Sequence, residues 1–358
     1  MAGKSTVDAG ARRGPQPLAL AFLALFVLLI AGALGIAFLG DPRAAEPLVS
    51  VDLPRGWLGG HVAPRPVRKA AAPVSPDQVS EAPPIKVTQQ MFAGRALIAD
   101  PSLVENTAMG PLPKIADSGT TPMHAYAPPA PSDGRPHIAI VIGGLGVSAK
   151  QTEAALAGLP AGVTLAFAPY AADVQHWTSL ARAQGHEVLL EVPMEPFDYP
   201  DSDPGPHTLR AGGSENANIE RLAWALTRIT GYAGITNLQG SRFLSDTNSL
   251  EPVLTYLARR GLMFFDDGSA DHPAASDVAL RVGVPFVQAN SKIDSIPAAT
   301  EIDQRLSALE TDARSHGSAG GSGQIYPVTI DRVRNWAQGL AGRGFVLVPA
   351  SAIVAASK

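Results

Sequence analysis

The amino-acid sequence predicts an α/β chain: an irregular β/α barrel of seven or eight strands, preceded by one transmembrane helix and a disordered Pro-rich tether. Three observations lead there. Residues 18–39 are 22 consecutive positions without a charge, long enough for a helix to cross a bilayer. Sixteen of the 32 prolines fall between Asp41 and Asp133, a composition that favours extended, solvated chain over a packed core. From His137 onward, short apolar runs alternate with amphipathic segments for more than 200 residues. That is the pattern of parallel strands wrapped by helices.

Taken in order, residues 1–17 form a short tail carrying Lys4, Arg12 and Arg13, while Asp41, Arg43 and Glu46 follow the apolar run. The positive-inside rule keeps such a tail cytoplasmic and exports everything after the helix. A cleaved signal peptide competes with a retained anchor, but its apolar core is ordinarily shorter; the length of 18–39 favours the anchor. Residues 40–133 read as a spacer, with one less polar island at 85–103. Residues 134–358 are the expected folded domain. The protein is thus expected in the inner membrane, single-pass, with its C-terminal domain in the periplasm.

Inside that domain the apolar runs predict strands at 137–142, 163–168, 187–192, 233–237, 262–266, 284–288 and 345–348, with a weaker eighth near 318–322. Continuous rather than alternating apolarity suits strands buried on both faces. Ile302, Leu306, Leu309 and Ala313 share one helical face, as do Ile330, Val333, Ala337 and Leu340. A net charge of -4 provides no general attraction for nucleic acid or anionic lipid. The absence of cysteine excludes disulfides, thiolate metal sites and a cysteine nucleophile.

In barrels of this kind ligands bind at the carboxyl ends of the strands, which singles out four places. Glu191 and Glu195 flank a strand end at Pro193; a glutamate there suits acid, base or sugar-hydroxyl acceptor work, and a loop carboxylate in water is an equal reading. Asp266 and Asp267 follow four apolar residues. Being adjacent, they point in different directions, so at most one lines the site; the pair can bind a metal or divide base and orienting roles, although Asp-Asp-Gly is also ordinary turn chemistry. Asn237 and Ser241 offer neutral hydrogen-bonding groups suited to sugar hydroxyls, and Arg242 suits an anion. Asp294 is a lone acid in Ser291-Lys292-Ile293-Asp294. The eight histidines make no HxxH, HExxH or close His/Asp cluster, so zinc has no local signature. His207 lies in the loop after Glu195 and is the better site candidate, whereas His186, between helix and strand, suits a packing role.

Several ordered stretches resemble the divergent polysaccharide deacetylase family (the YibQ-like proteins). They are Ile-Ala-Ile-Val-Ile-Gly-Gly-Leu-Gly at 138–146, Thr-Leu-Ala-Phe-Ala-Pro-Tyr at 164–170, and Gly-His-Glu-Val-Leu-Leu-Glu-Val-Pro-Met-Glu-Pro at 185–196. Pro-Gly-Pro-His-Thr-Leu at 204–209, Asn-Leu-Gln-Gly-Ser-Arg-Phe at 237–243, Phe-Phe-Asp-Asp-Gly-Ser at 264–269 and Pro-Val-Thr-Ile at 327–330 continue the series. The resemblance implies a barrel akin to carbohydrate deacetylases and a periplasmic polysaccharide or peptidoglycan-like glycan as partner. It also implies a divalent metal such as zinc, with Asp266, Asp267 or Glu191 as the base. Three family features are replaced here. Gly143-Gly144 stands where relatives often carry an Asp pair, Leu238 where they carry a histidine, and Gly323-Gln324-Ile325 where they carry Gly-His-Pro. Those replacements imply the competing expectation, a catalytically silent barrel that binds a glycan or envelope partner.

Overall fold

One strand organises the architecture. In a computed structural model, which describes residues 99–131, 133–271 and 273–354, β3 (His137–Leu145) runs through the middle of a parallel sheet and is buried along most of its length. Around it lie β4 (Thr164–Phe167), β5 (Val188–Met194), β6 (Gly234–Gln239), β7 (Met263–Asp266), β8 (Phe286–Gln288), β9 (Ser291–Lys292), β10 (Ser318–Gln324) and β11 (Val346–Leu347). The order across the sheet is β8-β7-β6-β5-β4-β3-β10-β9, with β11 also pairing with β3, and every pair is parallel. β8 and β9 stand at opposite ends of this order, yet only Ala289 and Asn290 separate them in sequence. The sheet therefore curls until its edges approach. Across that seam Ala289 N–H donates to Asp266 O (2.9 Å) and Asn290 N–H to Gly320 O (2.7 Å). This curled parallel sheet is the β/α-barrel architecture that the sequence predicts.

Helices α2 (Ala149–Gly158), α3 (Val174–Ala183), α4 (Glu215–Leu226), α5 (Thr247–Arg259), α6 (Ala275–Val282), α7 (Ala299–His316) and α8 (Pro327–Leu340) connect successive strands. Three of them begin at a residue whose side chain accepts from the first turn: Ser148 from Gln151 N, Ser214 from Ala217 N and Asp246 from Asn248 N. Such caps satisfy backbone donors that the helix itself leaves free. Alternation along the strands divides the apolar residues into two cores. Ile138, Ile140, Ile142, Leu165, Leu190 and Phe264 face the helices, against side chains such as Leu222, Val253, Leu306 and Ile330. Ala139, Val141, Ala166, Leu189, Phe265 and Val287 face inward, joined by Val348 and Ala350 from the C-terminal segment.

Two of the expected strands exchange importance. The weak eighth is β10, seven residues beside β3 with a seven-residue register. The expected strand at 345–348 reduces to the two residues of β11. Ser-Ala-Gly-Gly-Ser-Gly-Gln has almost no intrinsic strand preference, but its glycines are what the packing requires. A Cβ on Gly321 would lie 2.6 Å from Leu309 Cδ1 and 2.9 Å from Ile140 Cδ1. Neighbouring side chains fill the volume that β10 leaves.

The tail, the expected membrane helix and most of the spacer lie outside the described residues. Among the described residues no helix is long and apolar enough to cross a membrane. The last part of the spacer, 99–131, departs from the expectation of a disordered tether, for it folds against the barrel. β1 (Val104–Thr107) and β2 (Gly110–Pro113) form an antiparallel pair, and α1 (Pro122–Tyr126) follows. Arg260 reaches Glu105 Oε2 (3.1 Å) and Pro113 O (2.8 Å), Met123 N–H donates to Gly261 O (3.1 Å), and Met123 joins the inner core. Pro111 and Pro113 are compatible with β2 because a two-stranded sheet leaves one edge of each strand unpaired.

Candidate functional site

Inward alternation places a small set of polar side chains at the carboxyl ends of the strands. On β5, Leu189 faces the inner core, so Glu191, two residues on, projects the same way. On β7, Phe265 does the same, and Asp267 follows it just past the strand end. β9 contributes Lys292 and β10 contributes Ser322 and Gln324, with Ser322 in register with Lys292. β3 contributes no side chain at Gly143-Gly144, where its register with β4 shifts.

The contacts are specific. Gly144 N–H donates to Glu191 Oε1 (2.9 Å), while Glu191 Oε2 is buried without a hydrogen-bond partner. Asp267 Oδ1 accepts from Asn237 Nδ2 (2.7 Å) and Ser269 N (3.0 Å), and Asn237 Oδ1 accepts from Asp267 N (2.9 Å). The Lys292 ammonium faces Asp267 Oδ2 at 3.4 Å. Ser322 Oγ donates to Asp267 O (2.6 Å). Burial pushes the Glu191 carboxyl up to about 7; the Gly144 N–H and Lys292 pull it down, and the negative charge of Asp267 adds to the rise. Burial likewise pushes Asp266 up to about 6, opposed by the Gly268 N–H and reinforced by Asp267.

A glutamate fits at this position because Gly143 and Gly144 have no side chain. A Cβ on Gly143 would run into Glu191 Oε1, and one on Gly144, at φ +80°, would meet Gln324 Oε1 at 3.0 Å. Glu191 and Gln324 thus occupy the space that acids at 143 and 144 would need.

The remaining sequence candidates are placed elsewhere. Asp266 turns away from Asp267 and accepts from Gly268 N (2.9 Å). Glu195 is buried and committed to Arg242 (2.8 Å), Arg210 (3.0 Å) and Ala211 N (2.8 Å), so it ties two loops together. Arg242 is half exposed in that pair. Ser241 Oγ accepts from Phe197 N (3.3 Å). His207 stacks on Trp224 with ring centroids 3.6 Å apart, and its backbone N–H donates to Tyr170 Oη (3.0 Å). Asp294 Oδ2 accepts from Gln324 N (2.6 Å) and Thr329 Oγ1 (2.8 Å), holding the end of β10. Asn237 Nδ2 and Gly144 N–H already have partners, so neither is free to steady an oxyanion. His186, buried, bonds Val163 O through Nδ1 (2.9 Å) in the packing role expected of it. Sequence reasoning missed Lys292, Ser322 and Gln324. Glycines hide β10, and attention in Ser291–Asp294 fell on the acid.

These residues do not suit a divalent ion. A hard or borderline cation needs several convergent carboxylate or imidazole groups. Here Asp267 is bonded on both oxygens, Asp266 faces its own turn, and His207 is stacked on Trp224. Among the described residues no three His, Cys, Asp or Glu side chains gather to hold a metal. A cavity of about 480 Å³ lined by Arg135, Leu159, Arg334, Leu340 and Phe345 opens beside β11, near the start of β3 and away from this cluster.

Comparison with known proteins accounts for the arrangement of strands and motifs. A crystal structure of an uncharacterised protein from Agrobacterium tumefaciens C58 is 38% identical, covering 68% of this chain and 100% of that one, with a TM-score of 0.67. An uncharacterised protein of Haemophilus influenzae is 26% identical over 193 residues, 54% of this chain and 68% of that protein. The uncharacterised protein YibQ of Escherichia coli K12 is 27% identical over 194 residues, 54% of this chain, and the match spans 60% of its length. The family model for divergent polysaccharide deacetylases matches residues 140–354, from the middle of β3 to the end of the described domain. On that match the chain belongs to the divergent polysaccharide deacetylase family.

Proposed function

We propose that this protein binds a glycan of the cell envelope at the carboxyl end of its barrel, as a deacetylase-like domain held at the inner membrane by residues 18–39. The observation that carries the reading is the cluster of Glu191, Asn237, Asp267, Lys292 and Gln324 around Gly143 and Gly144 at the carboxyl ends of the strands. Sugar hydroxyls act as both donors and acceptors, and such a mixture of carboxylate, amide and ammonium groups complements them. The glycan is of the polysaccharide or peptidoglycan type, in line with the family to which the chain belongs. Membrane anchoring rests on the uncharged run and its flanking charges alone.

The test is direct binding. The full chain is titrated with chitin oligosaccharides and soluble peptidoglycan fragments by calorimetry, and Asp267→Asn and Glu191→Gln are compared with the unaltered protein. Saturable binding weakened at least tenfold in either variant supports the proposal. Absence of binding to every glycan class, or equal binding by the variants, sinks it. Extraction of membranes at alkaline pH and protease treatment of spheroplasts check the anchor and its orientation.

A second reading, acyl-group hydrolysis without a metal, is favoured by one observation. Glu191 is buried, has a free oxygen and is pushed up to about 7, the range in which a general base works best near neutral pH. Release of acetate from an acetylated glycan, lost in Glu191→Gln, supports it; no release with a bound glycan leaves a binding protein.

A further inference from the structure

Two carboxylates and one ammonium make up the charge at the barrel mouth, and the ammonium comes from the two-residue strand where the sheet closes. We propose that Lys292 is the resident cation of this site, supplying the positive charge that a divalent ion supplies in a metal-dependent hydrolase, and that the site takes up no such ion. The proposal rests on the mouth being the functional site, but not on which ligand enters it.

Lys292 Nζ stands 3.4 Å from Asp267 Oδ2, and the other oxygen of Asp267 is fixed by Asn237 and Ser269 N. Glu191, on β5, is held to Gly144 by one oxygen and feels both Asp267 and Lys292. Among the described residues no other element brings a charge to this group: β3 has glycines at 143 and 144, β6 presents Thr236 and Asn237, and β10 presents Ser322 and Gln324. Asp294, two residues beyond Lys292, gives Oδ2 to Gln324 N and Thr329, and Asp266 gives Oδ1 to its own turn; the second oxygen of each is buried without a partner. A cation entering between Glu191 and Asp267 would meet the ammonium at close range. Like charges repel most strongly in a part-buried site where water screens poorly. The register of Lys292 with Ser322, whose hydroxyl holds Asp267 O, fixes the ammonium from the opposite side of the seam.

Lys292 is a positioning residue, so its test reads charge rather than activity. The full chain and its Lys292→Met, Lys292→Gln and Lys292→Arg variants are melted from pH 5 to pH 9, and zinc chloride and manganese chloride are titrated into the unaltered chain by calorimetry. No stoichiometric metal uptake is expected. Loss of the ammonium, which pulls the Glu191 carboxyl down, should let stability keep falling with pH beyond the point where the original profile levels off. Lys292→Arg should restore the original profile. Lys292→Gln serves if Lys292→Met does not fold. Uptake of one equivalent of either metal, abolished in Asp267→Asn, overturns the proposal, as does a neutral variant whose profile parallels the original. Failure of glycan binding with these profiles intact removes the functional reading alone.

Discussion

The buried glutamate at the barrel mouth makes a quantitative prediction about stability. Glu191 has an ordinary value of 4.5 and is pushed up to about 7 in the folded domain. A raised carboxyl favours folding while it is protonated, so its contribution is complete below about pH 4.5 and is lost as pH climbs through 7. The difference is two and a half pH units, and at roughly 1.4 kcal/mol per unit the loss is about 3 kcal/mol by pH 8. Glu191→Gln keeps the oxygen that accepts from Gly144 and cannot ionise. Its amide nitrogen lacks an evident partner, which costs about 1–2 kcal/mol at every pH. Measured by urea unfolding followed by tryptophan fluorescence, the variant should be less stable than the original at pH 4.5 and gain about 3 kcal/mol relative to it by pH 8. In melting temperature that relative gain is on the order of 6–12 °C for a domain of this size. Parallel profiles across this range would refute the argument that burial, not local hydrogen bonding, governs Glu191.

Asp266→Asn should show the same sign in a lower window, because the raised carboxyl, at about 6 against 3.8, loses its stabilising proton between pH 4 and 6; equilibrium unfolding across that range checks it. Gly321→Ala places a methyl against Leu309 and Ile140 and should cost about 1–3 kcal/mol by overpacking, read as a lower denaturant midpoint with an unchanged slope. Glu195→Ala removes one buried carboxylate from two arginines that remain part-exposed. About 2–3 kcal/mol and faster amide exchange at 210–213 and 241–243 should follow, since those loops lose their common tie. A chain beginning at residue 134 lacks Met123 and both partners of Arg260, and should melt well below one beginning at 99.

Much of this was legible beforehand where a residue's environment follows from its neighbours in sequence. Ile138, Ile140 and Ile142 announce a strand covered by helices, and period-two alternation separates Asp266 from Asp267 before any coordinates are known. Pairing between distant residues was not legible. Nothing near Glu195 foretells that Arg210 and Arg242 converge on it, nor that Gln324 N and Thr329 converge on one oxygen of Asp294. β10 was faint because its fitness lies in having no side chains. Its recognition depends on Leu309 and Ile353 across the packing, which local propensity does not see. The segment at 99–131 was hidden by its prolines, which describe a spacer by composition yet sit where a two-stranded edge tolerates them. Lys292 was passed over because a lysine beside an acid ordinarily belongs to a solvated loop, and only the curling of the sheet carries it to Asp267.

That curling also bears on how anything reaches a mouth whose acids are almost closed to water. Where β8 gives way to β9 the chain changes partners in mid-stride. Asn290 offers a side-chain oxygen to Gly320 N–H (2.9 Å) where a ladder would use a carbonyl, and Ile293 N–H is held by Ser322 O (2.7 Å). Only a handful of bonds, spread over residues 289–293, make this join, and local opening is drawn from sparsely bonded stretches. Lys292 lies in the same short stretch, so the join of the sheet and the charged cluster at the barrel mouth are built from one run of five residues.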